Sequence, residues 1–474
     1  MNEKFEQWFA LKSHGTTVRT ELLAGLTTFL TMAYIIFVQP AVLSGRLFGF
    51  ETGMDFGAVT TATCLGAAIA TAIMALYARY PIAQAPGMGQ NFFFVLTAIP
   101  AATAAGFADA WQTALGVVFV SGILFLILSL FQIRETLLKA LSPSLKRGIA
   151  AGIGLFIAFI GMQNAGLIVK SPATGVTLNH HFASPDLIVF FVGLLTAVSC
   201  HARKKAGSIL WGVLAATVTA AALKGLLPAL PETWQSSKVV TESMLVTRFE
   251  WAKGIVAMPP SISPTLFKMN LGNALSLAML PFILVFLFMV MFDTVGTLVG
   301  VAEQAGMMKD NQLPRAKQAF VSDAMGTTIG ACLGTSTVTA YIESAAGVEQ
   351  GGRTGLTSLT VSGLFLAALF FSPIVAMVGG YPPLTAPALV LVGAMMCRNL
   401  ADIDWADFSE SFPAFLIVVG IPFSYSIGDG LALGFLFYPL IKLLTGRGKE
   451  VHWVLYVVAA MLVMYFVEVR SRFG

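Results

Sequence analysis

The stretch GTSTVTAYIESAAG, residues 334–347, places one carboxylate, Glu343, among small and hydroxyl-bearing residues between two long apolar segments. Its alternating threonines predict a short extended segment, followed by a half-helix that begins near Glu343. A second broken segment, PIAQAPGMGQNFFF at residues 81–94, is interrupted by Pro86 and two glycines. Backbone groups left unpaired by such breaks cannot face lipid, so both segments must lie inside the protein or line a water-filled cavity. We therefore expect a binding site where the two broken segments lie.

The composition is that of an integral membrane protein. Of the 474 residues, 57% are hydrophobic and 11% are charged, and the mean hydropathy is +0.81. Apolar segments able to cross a hydrocarbon layer of about 30 Å recur along the chain, about fourteen in all, so an all-α polytopic protein is predicted. The polar start lacks a cleavable signal pattern, so the first segment is expected to stay as a helix. A further apolar stretch, residues 451–469, is compatible with another span or with a helix lying partly in the interface.

Basic residues cluster in alternate connections between the apolar segments. Lys146, Arg147 and residues 203–205 lie on one side, whereas the short connections on the other side carry only Arg46 and Lys170. This asymmetry follows the positive-inside rule and predicts a cytoplasmic amino terminus and a multi-pass protein of the cell (cytoplasmic or inner) membrane. The net charge of +4 is explained by these span ends and gives no indication of a nucleic-acid partner.

One long connection, residues 224–272, divides the chain into a first part, 1–223, and a second part, 273–474. The parts echo each other, as in TALGVVFVSG at 113–122 and TGLTSLTVSG at 354–363. If each part has about seven spans, an odd number, the second must be inverted relative to the first, an organisation found in many secondary transporters.

Polar side chains within the apolar segments are few. A carboxylate costs at least about 2.5–3.5 kcal/mol at the bilayer centre, so each is expected to have a partner or a function. The candidates for substrate contact are Glu343, Asp293, Asn91, Gln90, Ser344 and Thr294, and those for proton coupling are Glu343, Asp293 and Asp323. An asparagine both donates and accepts hydrogen bonds, which suits the edge of a heterocycle. The alternatives remain open that Asn91 is a satisfied interhelical amide and that the carboxylates, Asp323 above all, cap helices or bond neighbouring hydroxyls.

The sequence does not favour an enzyme, a metal site or a cofactor. The chain has no phosphate-binding loop of the ATPase type, and its five histidines lie at span ends or in connections. The four cysteines fall in apolar segments without paired spacing. We therefore predict a transporter driven by an ion gradient.

Five segments resemble those of the AzgA-type purine permeases, which carry adenine, guanine and hypoxanthine and belong to the nucleobase–ascorbate transporter superfamily. The similarity runs nearly from end to end. The segments are AGLTTFLTMAYIIFVQPAVLS (24–44), AQAPGMGQNFFF (83–94), FDTVGTLVGVAEQAGM (292–307), GTSTVTAYIESAAGVEQGGRTGLTSL (334–359) and FSYSIGDGLALGFLFY (423–438).

This resemblance implies about fourteen helices in two inverted seven-helix repeats, with a core domain that moves against a gate domain. It also implies import of a purine nucleobase by proton symport across the lipid bilayer, with a homodimer as a further possibility. Asn91, Asp293 and Glu343 occupy positions that the family ties to substrate or proton handling.

Two residues depart from the family pattern. Val290 stands where members usually have an aspartate, and Gln90 stands where an apolar residue is usual. We infer that the purine range differs from that of common members. The alternative function is an anion transporter of the same inverted-repeat architecture, which predicts a cationic or backbone-only site. The carboxylates of Asp293 and Glu343 count against it.

Overall fold

The computed structural model describes residues 8–131, 142–172, 174–229, 231–304, 307 and 313–464. This part of the chain is mostly helical and contains ten helices that are long and apolar enough to cross a membrane. The predicted class, an all-α polytopic membrane protein, is confirmed.

The described residues of the first part of the chain form nine α-helices and three short strands. They are α1 (Val18–Met32), α2 (Ile35–Leu43), α3 (Phe56–Ile73), β1 (Gln84–Pro86), α4 (Met88–Phe93), α5 (Ile99–Ala104), α6 (Ala110–Leu130), α7 (Pro143–Asn164), β2 (Ile168–Ser171), β3 (Gly175–Leu178), α8 (Pro185–Ala202) and α9 (Ser208–Leu226). Strands β2 and β3 form an antiparallel hairpin that the sequence did not predict.

In its described residues, the long connection after α9 contains the short α-helices α10 (Glu232–Gln235), α11 (Lys238–Thr241), α12 (Met244–Thr247) and α13 (Leu271–Ala274). The elements that follow it are α14 (Leu280–Gln304), α15 (Ala316–Leu333), β4 (Val338–Ala340), α16 (Ser344–Glu349), α17 (Gly355–Ala368), α18 (Ser372–Gly380), α19 (Pro382–Met396), α20 (Phe408–Ser424), α21 (Ile427–Leu444) and α22 (Trp453–Met464). Helix α22 lies in the stretch whose placement the sequence left open, and it packs against α14 and α21.

The two broken segments meet in the interior. Strands β1 and β4 pair antiparallel, with Gln84 opposite Ala340 and Pro86 opposite Val338, and all six strand residues are buried. Pairing satisfies backbone groups that lipid could not satisfy. The predicted order of extended segment and half-helix is confirmed, because Glu343 lies between the end of β4 and the start of α16.

The first apolar segment is also broken, between α1 and α2. Ala33 and Tyr34 keep right-handed helical backbone angles, so the chain direction changes little there. Pro40 within α2 has no N–H to donate to the preceding turn, which weakens the helix near the break. Tyr34, at this break, is only 2% exposed.

The long helices pack in two groups. One group contains α7, α8, α9, α19, α20 and α21, and the other contains α1–α6 with α14–α17 and the β1/β4 pair. Small residues allow close approach within a group: a Cβ added to Gly393 of α19 would overlap the carbonyl oxygen of Gly154 on α7. The β1/β4 pair lies inside the second group, so its residues are held by α3, α14 and α15.

Candidate functional site

Asp293 lies beside the paired strands on α14. Its Oδ2 accepts hydrogen bonds from Gln90 Nε2 at 3.1 Å and from Thr339 Oγ1 of β4 at 3.2 Å. The residue nevertheless remains exposed, although it lies in the middle of a 25-residue apolar helix. The structure therefore brings Asp293 and Gln90 together at the edge of an open space.

Glu343 is half-buried immediately after β4. Tyr34 donates its hydroxyl hydrogen to Oε1 of Glu343 at 2.9 Å, and Asp293 is close enough to interact with Glu343 electrostatically. Among the described residues, no salt bridge includes either carboxylate, and no cluster of histidine, cysteine or carboxylate side chains could hold a metal ion. The site offers hydrogen-bond acceptors whose negative charge is not offset by a cation from the part of the chain that the structure describes.

The open space continues along one face of α14. Asp293, Gly296 and Gly300 are spaced by three and four residues, so they lie on the same helix face. Among the described residues, a Cβ added to Gly296 would meet no atom within 4 Å, and one added to Gly300 would meet only Ile342 Cδ1 at 3.7 Å. Ile342 itself is 49% exposed. This face leads from Asp293 toward the end of α14, on the side that the basic residues predict to be cytoplasmic.

Asn91 does not face this space. It is fully buried on α4, where its Nδ2 donates to Gln39 of α2 and its Oδ1 accepts from Ser336. Gln39 in turn donates to Thr335 Oγ1 at 2.9 Å. The geometry matches the interhelical-amide alternative, because both ends of the Asn91 amide are bonded within the protein.

Asp323 is a fully buried clamp on α15. It accepts hydrogen bonds from Gln84 Nε2 of β1 at 2.9 Å, from the backbone N–H of Ala340 in β4 at 2.6 Å and from Thr294 Oγ1 at 2.5 Å. Thr294 is thereby bonded to Asp323, away from the open space. Ser344 is also fully buried, and its Oγ accepts from the backbone N–H of Ala83 at 3.0 Å. These three residues hold the strand pair in place.

Five residues near the site were absent from the sequence-based candidates. They are Tyr34, Gln39, Gln84, Ser336 and Thr339. Gln84, Ser336 and Thr339 lie in the two broken segments, so the loss of helical pattern there was a usable signal. Tyr34 lies in a continuous apolar run, where nothing in the local sequence distinguishes it from a packing residue.

Val290 does not line the site. It is 1% exposed and belongs to an apolar cluster with Phe125, Leu287 and Phe320. Its carbonyl oxygen accepts a hydrogen bond from Thr294 at 2.7 Å. Any effect of this departure from the family pattern would therefore have to act through packing beneath Asp293.

Comparison with known proteins identifies relatives over nearly the whole chain. Residues 19–433 match the family model Xan_ur_permease, described as a permease family. A putative permease of Methanocaldococcus jannaschii is 46% identical over 98% of this chain and 98% of its own length. A guanine/hypoxanthine permease of Bacillus subtilis is 42% identical over 98% and 99%, and an adenine permease of Escherichia coli is 37% identical over 98% and 97%.

Solved structures share the fold at low sequence identity. The transmembrane domain of the cyanobacterial bicarbonate transporter BicA has a TM-score of 0.59 and 15% identity, covering 88% of this chain and 97% of that domain. The murine anion transporter Slc26a9, in its inward-facing state, has a TM-score of 0.60 and 13% identity, covering 94% and 72%. Identity this low establishes the similarity of fold alone.

Proposed function

Because the chain belongs to the permease family Xan_ur_permease, we propose that it imports purine nucleobases of the guanine, hypoxanthine and adenine class by proton symport. Relatives that cover nearly all of the chain are named as guanine/hypoxanthine permeases and adenine permeases. The family and these relatives are permeases, which move a solute without converting it.

The observation that carries the proposal is the pair of carboxylates, Asp293 and Glu343, beside Gln90 at the β1/β4 pair. Ionised carboxylates only accept hydrogen bonds, so they select a ligand that presents N–H donors. Guanine and hypoxanthine present such donors at their ring edges, and the amide of Gln90 can serve the remaining acceptors. An uncharged ligand also fits a site that lacks a neighbouring cation among the described residues.

The transport cycle is proposed to use the two helix groups. The group that holds the β1/β4 pair acts as the core domain, and the group of α7–α9 with α19–α21 acts as the gate domain. About fourteen spans in two inverted repeats, 1–223 and 273–474, flank the outer connection 224–272, with the amino terminus in the cytoplasm of the cell. The open face of α14 below Asp293 is what an inward-facing state would require.

One proton supplies enough free energy for this task. Its movement inward through about 100 mV yields about 2.3 kcal/mol, and one pH unit adds about 1.4 kcal/mol. Together these allow several-hundredfold accumulation of a neutral purine. Either Glu343 or Asp293 takes the proton outside and releases it inside, while the other carboxylate holds the substrate.

The alternative function is anion transport, because BicA and Slc26a9, which share the fold, are described as a bicarbonate and an anion transporter. An anion needs a cation or free backbone N–H groups at the site. Two carboxylates at the edge of the open space would instead repel an anion. We therefore prefer the purine substrate.

Uptake of radiolabelled guanine, hypoxanthine, adenine, xanthine and uracil in cells that lack their own nucleobase carriers tests the proposal. Purine uptake should rise as external pH falls and should collapse when a protonophore is added, with or without sodium. Uptake that requires sodium and ignores the protonophore would overturn proton coupling. Chloride or bicarbonate flux in reconstituted vesicles, without any purine uptake, would favour the anion transporter.

A further inference from the structure

Tyr34 reaches the proposed site from the first broken helix. It is the last residue before α2, is 2% exposed, and donates its hydroxyl to Oε1 of Glu343 at 2.9 Å. In the described part of the chain, it is the side chain in hydrogen-bond contact with the Glu343 carboxyl group. A buried tyrosine hydroxyl is well placed to control a carboxylate that has no counter-ion among the described residues.

A second tyrosine, Tyr341, lies near Tyr34. The two tyrosines are close enough to interact electrostatically, and Tyr341 donates its hydroxyl hydrogen to the carbonyl oxygen of Pro86 in β1 at 2.5 Å. Among the described residues, the titratable side chains that face Glu343 are Tyr34 just before α2, Tyr341 two residues before Glu343 in the chain, and Asp293 on α14. Of these, Tyr34 contacts the Glu343 carboxyl group from a different part of the chain.

A phenol hydroxyl can donate one hydrogen bond and accept others. When Glu343 is ionised, Tyr34 donates to it. When Glu343 is protonated, the carboxyl group can instead donate its hydrogen to the Tyr34 oxygen. The Tyr34 hydroxyl can therefore form a hydrogen bond with Glu343 in both protonation states of the carboxyl group.

We propose that Tyr34 is the positioning residue of Glu343: its hydroxyl fixes one carboxyl oxygen and leaves the other for the proton or the substrate. The proposal rests on the proposed function, because it assumes that Glu343 handles a proton or a purine. Helix α2, which starts directly after Tyr34, also contacts the other broken segment, since its Gln39 accepts a hydrogen bond from Asn91. One short helix thereby supports both broken segments.

The test compares Tyr34→Phe with Tyr381→Phe in the full-length protein. Both changes delete one buried hydroxyl that is bonded to a carboxylate, but Tyr381 donates to Asp186 at 2.6 Å in the other helix group. Loss of the Tyr34 donor disfavours the ionised form of Glu343. The pH profile of purine uptake should therefore move to higher pH by about one unit, a tenfold change in proton activity. Tyr381→Phe should leave the profile unchanged.

Purine binding to purified protein provides a second measurement. Tyr34→Phe should change the dissociation constant in the wild-type background by about tenfold, and should change it little when Glu343→Gln is already present. If Tyr34→Phe does not accumulate in the membrane, Tyr34→Gln, which keeps a neutral donor, should transport with a more nearly normal pH profile than Tyr34→Met, which has none.

The outcomes separate the two proposals. If the wild-type protein neither binds nor takes up a purine, the proposed function fails. The role of Tyr34 fails alone if the wild-type protein transports a purine but two results are seen for Tyr34→Phe. The variant keeps the wild-type pH profile, and it changes the dissociation constant by the same factor with and without Glu343→Gln. Equal profiles for Tyr34→Gln and Tyr34→Met would overturn it as well.

Discussion

Two regions of the molecule handle carboxylates in opposite ways. Around the β1/β4 pair, Asp293 and Glu343 have neutral partners only, among the residues that the structure describes. Near the ends of α20 and α21, the fully enclosed side chain of Lys442 lies 2.8 Å from Glu410 and 2.9 Å from Glu450. In that region Asp407, Glu410 and Glu450 each form a salt bridge with Lys442 or Arg447. At the proposed site, no salt bridge is found among the described residues.

The cations near α21 fix the ionised state of their partners. Hydrogen bonds from Ser409 and Arg447 lower the pKa of Asp407 to about 2. Hydrogen bonds from Arg447 and Lys442 lower the pKa of Glu450 to about 2. These groups therefore stay charged at any physiological pH and can tie helices together, but they cannot exchange a proton during transport. A carboxylate that must change its protonation state requires surroundings without a fixed cation.

The largest effect is expected from Glu343→Gln. Glutamine keeps the size of the side chain but can neither titrate nor accept with a full charge, so uptake should fall by at least about a hundredfold. Size-exclusion profile and membrane yield should stay at the wild-type level, because Glu343 is half-buried beside open space. Glu349→Gln, a change at an exposed position of the same short helix, is the control and should transport normally. Undiminished uptake by Glu343→Gln would remove this residue from the site.

A saturated carboxylate should behave in the opposite way. Glu21 is fully buried and accepts from the backbone N–H groups of Arg353, Thr354 and Thr357 and from the Thr357 hydroxyl, at 2.6–3.3 Å. Glu21→Ala leaves these donors without an acceptor, which should lower the free energy of unfolding by about 3 kcal/mol. Thermal unfolding in detergent should show the loss, with uptake per folded molecule little changed. Glu21→Gln keeps one acceptor oxygen, so its thermal stability should lie between that of the wild type and that of Glu21→Ala.

Val290→Asp tests whether residue 290 contacts the substrate or only packs against apolar side chains. Because Val290 is enclosed by apolar side chains, a carboxylate there should cost at least about 3 kcal/mol, and the yield of folded protein should fall. The ratio of adenine to guanine uptake should stay as in the wild type. Val290→Asn, of similar size but uncharged, should be less harmful. A changed purine preference with normal yield would instead mean that this position contacts the substrate.

The smallest effect is expected from pH on the charged region near α21. A lowered pKa means that the stability contributed by Glu450 is present above its ordinary pKa of about 4 and is lost only as pH falls toward 2. The difference in melting temperature between wild type and Glu450→Gln should therefore be the same at pH 8 and pH 5. Purine uptake should change between these two values. A difference that shrinks at pH 5 would show that the cations do not hold this carboxylate ionised.

The sequence by itself determined the class of protein and the two broken segments beside which the proposed site lies. Hydropathy and segment length are local properties, and they identify a polytopic membrane protein. The breaks at residues 81–94 and 334–347 are also local, since proline, glycine and alternating threonines interrupt a helix wherever they occur. Glu343 and Asp293 could be selected because a charge in an apolar segment is costly whatever surrounds it.

Only the tertiary structure decided which of the selected side chains face open space and which support them. Asn91 and Asp323 were indistinguishable from site residues in the sequence, yet partners far along the chain enclose both. Tyr34 resembled a packing residue until the fold brought it to Glu343, 309 positions away. Hydropathy depends on neighbours in the chain, whereas these contacts depend on how helices pack, and packing over such separations leaves no trace in the local pattern.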